Sequence, residues 1–167
     1  MTINQDFPVL DGIASSWADI NCQASPTGGQ LITLKDIAKV TRKRTVSVGE
    51  QIGASGGRVT KHTTGSVKYE LAITFYRDGY NLFIERLAAL APTRGNQKAI
   101  RFVTFLFQVH HTPVGSDQIL HWKAKGCFPM GDSLDHAEGD TADQLECSIG
   151  CKEIVDVLED GAEVVYL

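Results

Sequence analysis

VKYELAITFYRDGYNLFIERLAALA, residues 67–91, contains the change of period that decides the fold. Val67, Tyr69, Leu71, Ile73 and Phe75 fall on one face, with Lys68, Glu70, Ala72, Thr74 and Tyr76 on the other. That alternation predicts a half-buried strand over 67–76. Arg77–Gly79 interrupts it. Tyr80, Phe83, Ile84, Leu87 and Ala91 then recur at the spacing of one helical face, which predicts a helix over about 79–91. Asp78 suits the N-cap, and Pro92 stops the helix.

No second helical pattern of this quality occurs on either side. Downstream, 99–111 (AIRFVTFLFQVHH) reads as a long central strand, apolar enough on both faces to be covered twice. Residues 118–128 read as a strand with Leu120, Trp122, Ala124 and Phe128 on one side. An acidic loop at 130–142 follows, then a strand over 143–158 and a short last one at 164–167. Upstream, 16–23 and 31–40 read as strands separated by the turn SPTGGQ, and 1–14 as an irregular arm. Frequent turn signals and one inserted helix predict a single mainly-β domain spanning 1–167, a β-sandwich or β-barrel with one flanking α-helix.

Residues 41–66 (TRKRTVSVGEQIGASGGRVTKHTTGS) are polar and glycine-rich, with few large apolar side chains. They predict a long extended loop or hairpin. The composition favours a loop that becomes ordered against a partner, because it offers little core of its own.

Composition narrows the class. The 167 residues are 43% apolar and 22% charged, with a net charge of -4. The pI is about 5.7 and the mean hydropathy -0.09. These values argue against disorder, a membrane span and general nucleic-acid binding. The opening MTINQDFPVLDG has neither a basic region nor an apolar run of the secretory type, so synthesis in a cytoplasm is expected. Cys22, Cys127, Cys147 and Cys151 form no CxxC pair. Cys147 and Cys151 would stand roughly 13 Å apart along a strand, beyond disulfide reach, and all four are expected to be reduced.

Charge is segregated along the chain. Between Lys35 and Lys68 eight cations face two anions, a local charge of +6. Between Asp132 and Glu163 eleven anions face one cation, a local charge of -10. One reading is solvated faces of both signs. The sharper one is self-complementarity, in which a basic surface of one copy meets an acidic surface of the next, head to tail. The candidate inter-subunit contacts are Lys39, Arg42, Lys43, Arg44, Arg58 and Lys61 on the basic side, and Asp132, Asp135, Glu138 and Asp140 on the acidic side.

Catalytic and cofactor signatures are weak. GASGG at 53–57 is not followed by the Lys-Ser/Thr of a phosphate loop. Leu134 spoils an EF-hand register begun at Asp132. His110 and His111 point to opposite faces of a strand and cannot chelate together, even with His121 nearby. Nothing in the sequence orients Cys127 or Cys147 as a nucleophile. The expectation is a non-enzymatic chain without metal or cofactor.

Three stretches resemble bacteriophage tail tube proteins: the strand–helix unit 67–91, FQVHHTPVG at 107–115, and KGCFPMGDSLDHAEGDTADQLECSIGCKEIV at 125–155. In the last, a KGC strand end leads to GDS, an acidic loop and a final strand. The resemblance is to phage and gene-transfer-agent tubes and, more distantly, to the haemolysin-coregulated tube protein of type VI secretion. It implies hexameric rings of this chain, stacked into a hollow tube in a virion tail, with 41–66 reaching a neighbouring ring. It also implies tape-measure, tail-tip and terminator partners, and DNA passing through without specific binding. Alternatives are another virion or secretion structural protein (a tail terminator, a head-completion protein, a type VI tube) or a small β-barrel enzyme or ligand-binding module.

Overall fold

The computed structural model describes residues 20–52, 59–111, 119–136, 142–158 and 160–166. The expected arm at 1–14 lies outside them. The strands are β1 (Ile20–Pro26), β2 (Ile32–Thr33), β3 (Ile37–Ile52), β4 (Val59–Tyr76), β5 (Thr93–Arg94), β6 (Gln97–Lys98), β7 (Phe105–His111), β8 (Ile119–Asp135), β9 (Gln144–Gly150), β10 (Glu153–Val157) and β11 (Glu163–Val164). Helix α1 (Arg77–Leu90) follows β4, and a 3-10 turn at Ile100–Phe102 precedes β7.

All pairings are antiparallel, and the long strand β8 belongs to two sheets. Its first part, up to Cys127, pairs with β7 on one side and β10 on the other, in a sheet ordered β2-β1-β7-β8-β10-β11. From Phe128 onward it pairs with β9, in a sheet ordered β8-β9-β4-β3. This is the mainly-β sandwich-type architecture with one helix that the sequence predicted.

Gly126 makes the corner. Its φ of 63° is left-handed, a region that costs other residues about 1–2 kcal/mol. Opposite the step from Phe105 to Phe107, β8 advances from Cys127 to Ala124, so it carries an extra residue there. The extra residue reverses the alternation: Ala124 is buried before the bulge, and Cys127 and Pro129 after it. Phe128, expected beside Trp122 and Ala124, is therefore 37% exposed. The facing turn comes at Cys151–Lys152, where the Lys152 N–H donates to the Lys125 carbonyl at 3.0 Å.

Between the sheets lies an apolar core. Leu71, Ile73 and Phe75 of β4 meet Leu145, Cys147 and Ile149 of β9 and Phe105, Phe107 and Val109 of β7, all buried. α1 closes one end with Phe83 and Leu87, both wholly buried. Phe83 stacks on Phe75 at 5.3 Å between ring centroids and meets Phe105 edge-on at 5.7 Å.

Several expectations need correction. α1 starts two residues earlier than predicted, Tyr76 is the N-cap, and Asp78 lies in the first turn without a capping role. Gly79 packs on the Lys35 carbonyl with no room for a side chain, which fixes where that first turn must sit. The strand expected over 99–111 is cut to 105–111, because the N–H groups of Phe102 and Val103 close a 3-10 turn on Ala99 and Ile100. β7 buries one face only, leaving Leu106, Gln108 and His110 partly exposed. The supposed loop at 130–142 begins as strand, since Met130–Asp135 continues β8. The described residues of the region 41–66 form a hairpin: β3 and β4 pair from Ile37–Phe75 out to Ile52–Val59. Of the two expected forms the hairpin is the one found: β3 bonds to β4 on one side, so the segment has strand structure within its own chain.

Candidate assembly surface

The hairpin supplies most of the basic candidates. Odd-numbered Lys39, Thr41, Lys43 and Thr45 of β3 face outward, while even-numbered Val40, Arg42, Arg44 and Val46 face the other sheet. Arg42 and Arg44 both reach Asp156 of β10 across the gap between the sheets. Arg42 also lies over the Trp122 ring, 5.1 Å from its centroid. Burial pushes the Asp156 carboxyl up, but the hydrogen bonds from Arg44 and Arg42 outweigh it and hold the group below its usual range. These two arginines pin the hairpin to the body, and Asp156 offsets one of their two charges inside the subunit.

The other candidate contacts divide. Lys39 and Lys43 on β3 and Lys61 on β4 are exposed, with no salt bridge among the described residues. Arg58, Glu138 and Asp140 lie outside the described residues, and for Asp135 only the backbone, at the end of β8, is described. Asp132 accepts a hydrogen bond from the Tyr80 hydroxyl of α1 at 2.7 Å. Burial first, and then Asp132, push the Tyr80 phenol up.

Sequence reasoning missed a second internal pairing. Lys123 and Lys125 of β8 both hold Glu163 at β11, the latter at 2.6 Å. The two lysines keep the Glu163 carboxyl below its ordinary range, and Glu163 in turn raises Lys125. The Lys-x-Lys alternation was visible, but its partner lies a whole element away. Part of the acidic end thus neutralises β8 rather than another copy.

The register places the residual charges. Across the four-stranded sheet runs the row Ser133–Glu146–Thr74–Lys39, and beside it Asp132–Cys147–Ile73–Val40. Among the described residues, β3 pairs with β4 alone, and the Phe128–Asp135 part of β8 pairs with β9 alone. One sheet therefore has two unpaired edges about 14 Å apart. Cations sit on the β3 edge; Asp132 and Asp135 sit on the β8 edge, with Glu146 one strand inward. The outward face between them is small and polar: Gly131, Ser133, Ser148, Ala72, Thr74 and Thr41. Lys68 bonds Glu70 at 2.6 Å on that face, so its cations sit close to anions. Farther out on the hairpin, Val48 and Ile52 are 58% and 64% exposed.

Among the described residues no group of three or more His, Cys, Asp or Glu gathers as a metal site would require. No helix among them is long and apolar enough to cross a membrane.

No protein-family model matches the chain, and no curated protein sequence matches it. Its fold does match solved structures of contractile injection machines. A chain of the anti-feeding prophage cap, the tube-terminating cap, superposes with a TM-score of 0.54 at 10% identity, over 92% of this chain and 97% of that one. A chain of the sheath/tube terminator of an extracellular contractile injection system gives 0.54 at 11% identity, over 80% and 90%. One from the sheath–tube complex of that system in its extended state gives 0.53 at 12% identity, over 80% and 85%. At these identities the likeness is one of fold: the mainly-β architecture with one flanking helix is shared with chains of these assemblies.

Proposed function

We propose that this chain is a structural subunit of a tail-type tube. Copies would join edge to edge through the sheet β8-β9-β4-β3, close into a ring, and stack ring on ring. The observation that carries this reading is the pair of unpaired edges on one sheet, bearing opposite charge. An edge offers a row of backbone donors and acceptors that another strand can pair with. Unlike edges favour a heterologous contact, which closes into a ring when the rotation allows. Opposite charge then sets which edge meets which.

The outward face of this sheet would line the bore. Its lysines lie beside Glu70 and Glu146 rather than forming a continuous cationic track. Such a wall offers a passing DNA phosphate backbone little net attraction, and phosphate neutralisation is what holds DNA to a protein. The hairpin, with Val48 and Ile52 uncovered, would reach the next ring. A ring number of six is carried over from the resemblance.

A second reading, a terminating ring that ends the tube, is supported by the coverage of the cap structure. Negative-stain microscopy of the purified full chain tests both. Rings with a central hole support assembly: stacked tubes favour the tube subunit, and isolated rings the terminator. A monodisperse monomer at high concentration overturns both.

A further inference from the structure

We propose that Cys127 and Cys151 form a thiol pair that closes to an intramolecular disulfide by exchange with a small disulfide such as oxidised glutathione. The register brings them together. The β8–β9 ladder ends at Phe128–Gly150, and the β8–β10 ladder resumes at Lys125–Glu153. Cys127 and Cys151 each lie one residue from the paired Phe128 and Gly150, at the corner where β8 changes sheets, so the register makes them neighbours. Paired residues of antiparallel strands have Cα atoms about 4.5–5.5 Å apart, and a disulfide spans Cα separations of roughly 4.4–6.8 Å. The two thiols lie close enough for each to shift the ionisation of the other. All four cysteines are unbridged in the structure.

The two sulfurs differ in the way an attacking and a resolving thiol should. Cys151 is half-buried and Cys127 fully buried. The Cys127 S–H lies 3.3 Å from the Ala124 carbonyl and can turn to the Cys151 sulfur when that ionises. That hydrogen bond lowers the Cys151 thiol and raises Cys127. Cys22 and Cys147 have no such partner, and burial pushes them up to about 11 and about 12. In the exchange, the Cys151 thiolate attacks one sulfur of oxidised glutathione and expels glutathione thiolate, which takes up a proton. Cys127 then gives up its proton and attacks the Cys151 sulfur, displacing the second glutathione as a thiol. Two protein thiols become one disulfide, and one oxidised glutathione becomes two reduced ones. The bond ties the corner of β8 to the turn between β9 and β10.

The experiment equilibrates the full-length chain with oxidised glutathione, quenches with acid, and counts thiols by alkylation under denaturing conditions. Alkylation is expected to fall from four groups to two, with a linked peptide joining residues 127 and 151. The melting midpoint should rise by roughly 5–10 °C. Cys151→Ser, at the half-buried position, should abolish the linkage and leave its three thiols unreacted. Four remaining thiols in the natural chain, a linkage through Cys22 or Cys147, or glutathione retained on Cys151 would each overturn the proposal. None of these readouts depends on whether the chain assembles.

Discussion

Gly126 shows how one residue redirects two layers. Its left-handed backbone inserts an extra position into β8, and the buried series steps from Ala124 to Cys127 instead of to Gly126 or Phe128. KGCF does not announce this, because a glycine in a strand can mark a turn, a bulge or nothing, and the slip shows only against β7. Gly126→Ala should therefore cost about 1–2 kcal/mol and also displace the Lys152 side chain, 2.9 Å from the new methyl position. Gly131→Ala meets nothing within 4 Å and should be close to neutral. Equal urea midpoints for the two variants would remove Gly126 from its role. Asp156 was equally hidden, since it lies 114 residues from Arg42 and no local pattern pairs them. Asp156→Asn should cost about 1–2 kcal/mol at pH 7 by leaving two arginines half-buried and unpaired. The sign of its pH dependence follows from a carboxyl held below its unfolded value of about 3.9. That contribution is complete above this value and is lost as pH falls through the lower, folded value. The gap between natural and variant chains should narrow from pH 7 to pH 2.5. A constant gap would mean that the charge of Asp156 is not what the arginines need.

At the scale of elements, legibility followed period. The 67–76 face and the α1 stripe were readable because their repeats run unbroken and bury what they predict: Leu71, Ile73, Phe75, Phe83 and Leu87. Phe83→Ala should cost about 3–5 kcal/mol, measured by denaturant unfolding, because a wholly buried ring between Phe75 and Phe105 leaves a cavity that rigid sheets cannot fill. A loss under 1 kcal/mol would mean that α1 collapses onto the core. The β3–β4 hairpin was harder to read. Its outer half has the composition of a loop, yet backbone pairing needs no apolar side chains, so composition undercounts strand there. What anchors it is the Arg42–Asp156–Arg44 group at its base. Deleting residues 49–57 removes the outer ladder and spares that anchor. Far-UV circular dichroism and the melting midpoint should stay near those of the full chain, while microscopy should show rings that no longer stack. Normal tubes from this deletion would deny the hairpin its place between rings.

For the whole molecule, the raw segregation of charge overstated what is available for assembly. Asp156 and Glu163 are engaged within the subunit, each held by two cations, Arg42 with Arg44 and Lys123 with Lys125. The charge left on the edges of the four-stranded sheet is small, exposed and open to salt. Exposed charges steer encounter more than they hold a complex together, so their signature belongs in the rate of assembly. The screening length falls from about 10 Å at 0.1 M salt to about 3 Å at 1 M. Light-scattering growth should slow by roughly tenfold or more over that range, while the rings already formed persist, because backbone pairing and apolar burial are not screened. Lys39→Glu should slow growth at low salt and make it nearly insensitive to salt, since reversing one edge removes the attraction that salt would otherwise mask. If the natural chain grew equally fast at both salt concentrations, the unpaired edges would still explain association. Opposite charge would then have no part in selecting which edge meets which, and the order of copies around the ring would rest on strand direction and side-chain shape alone.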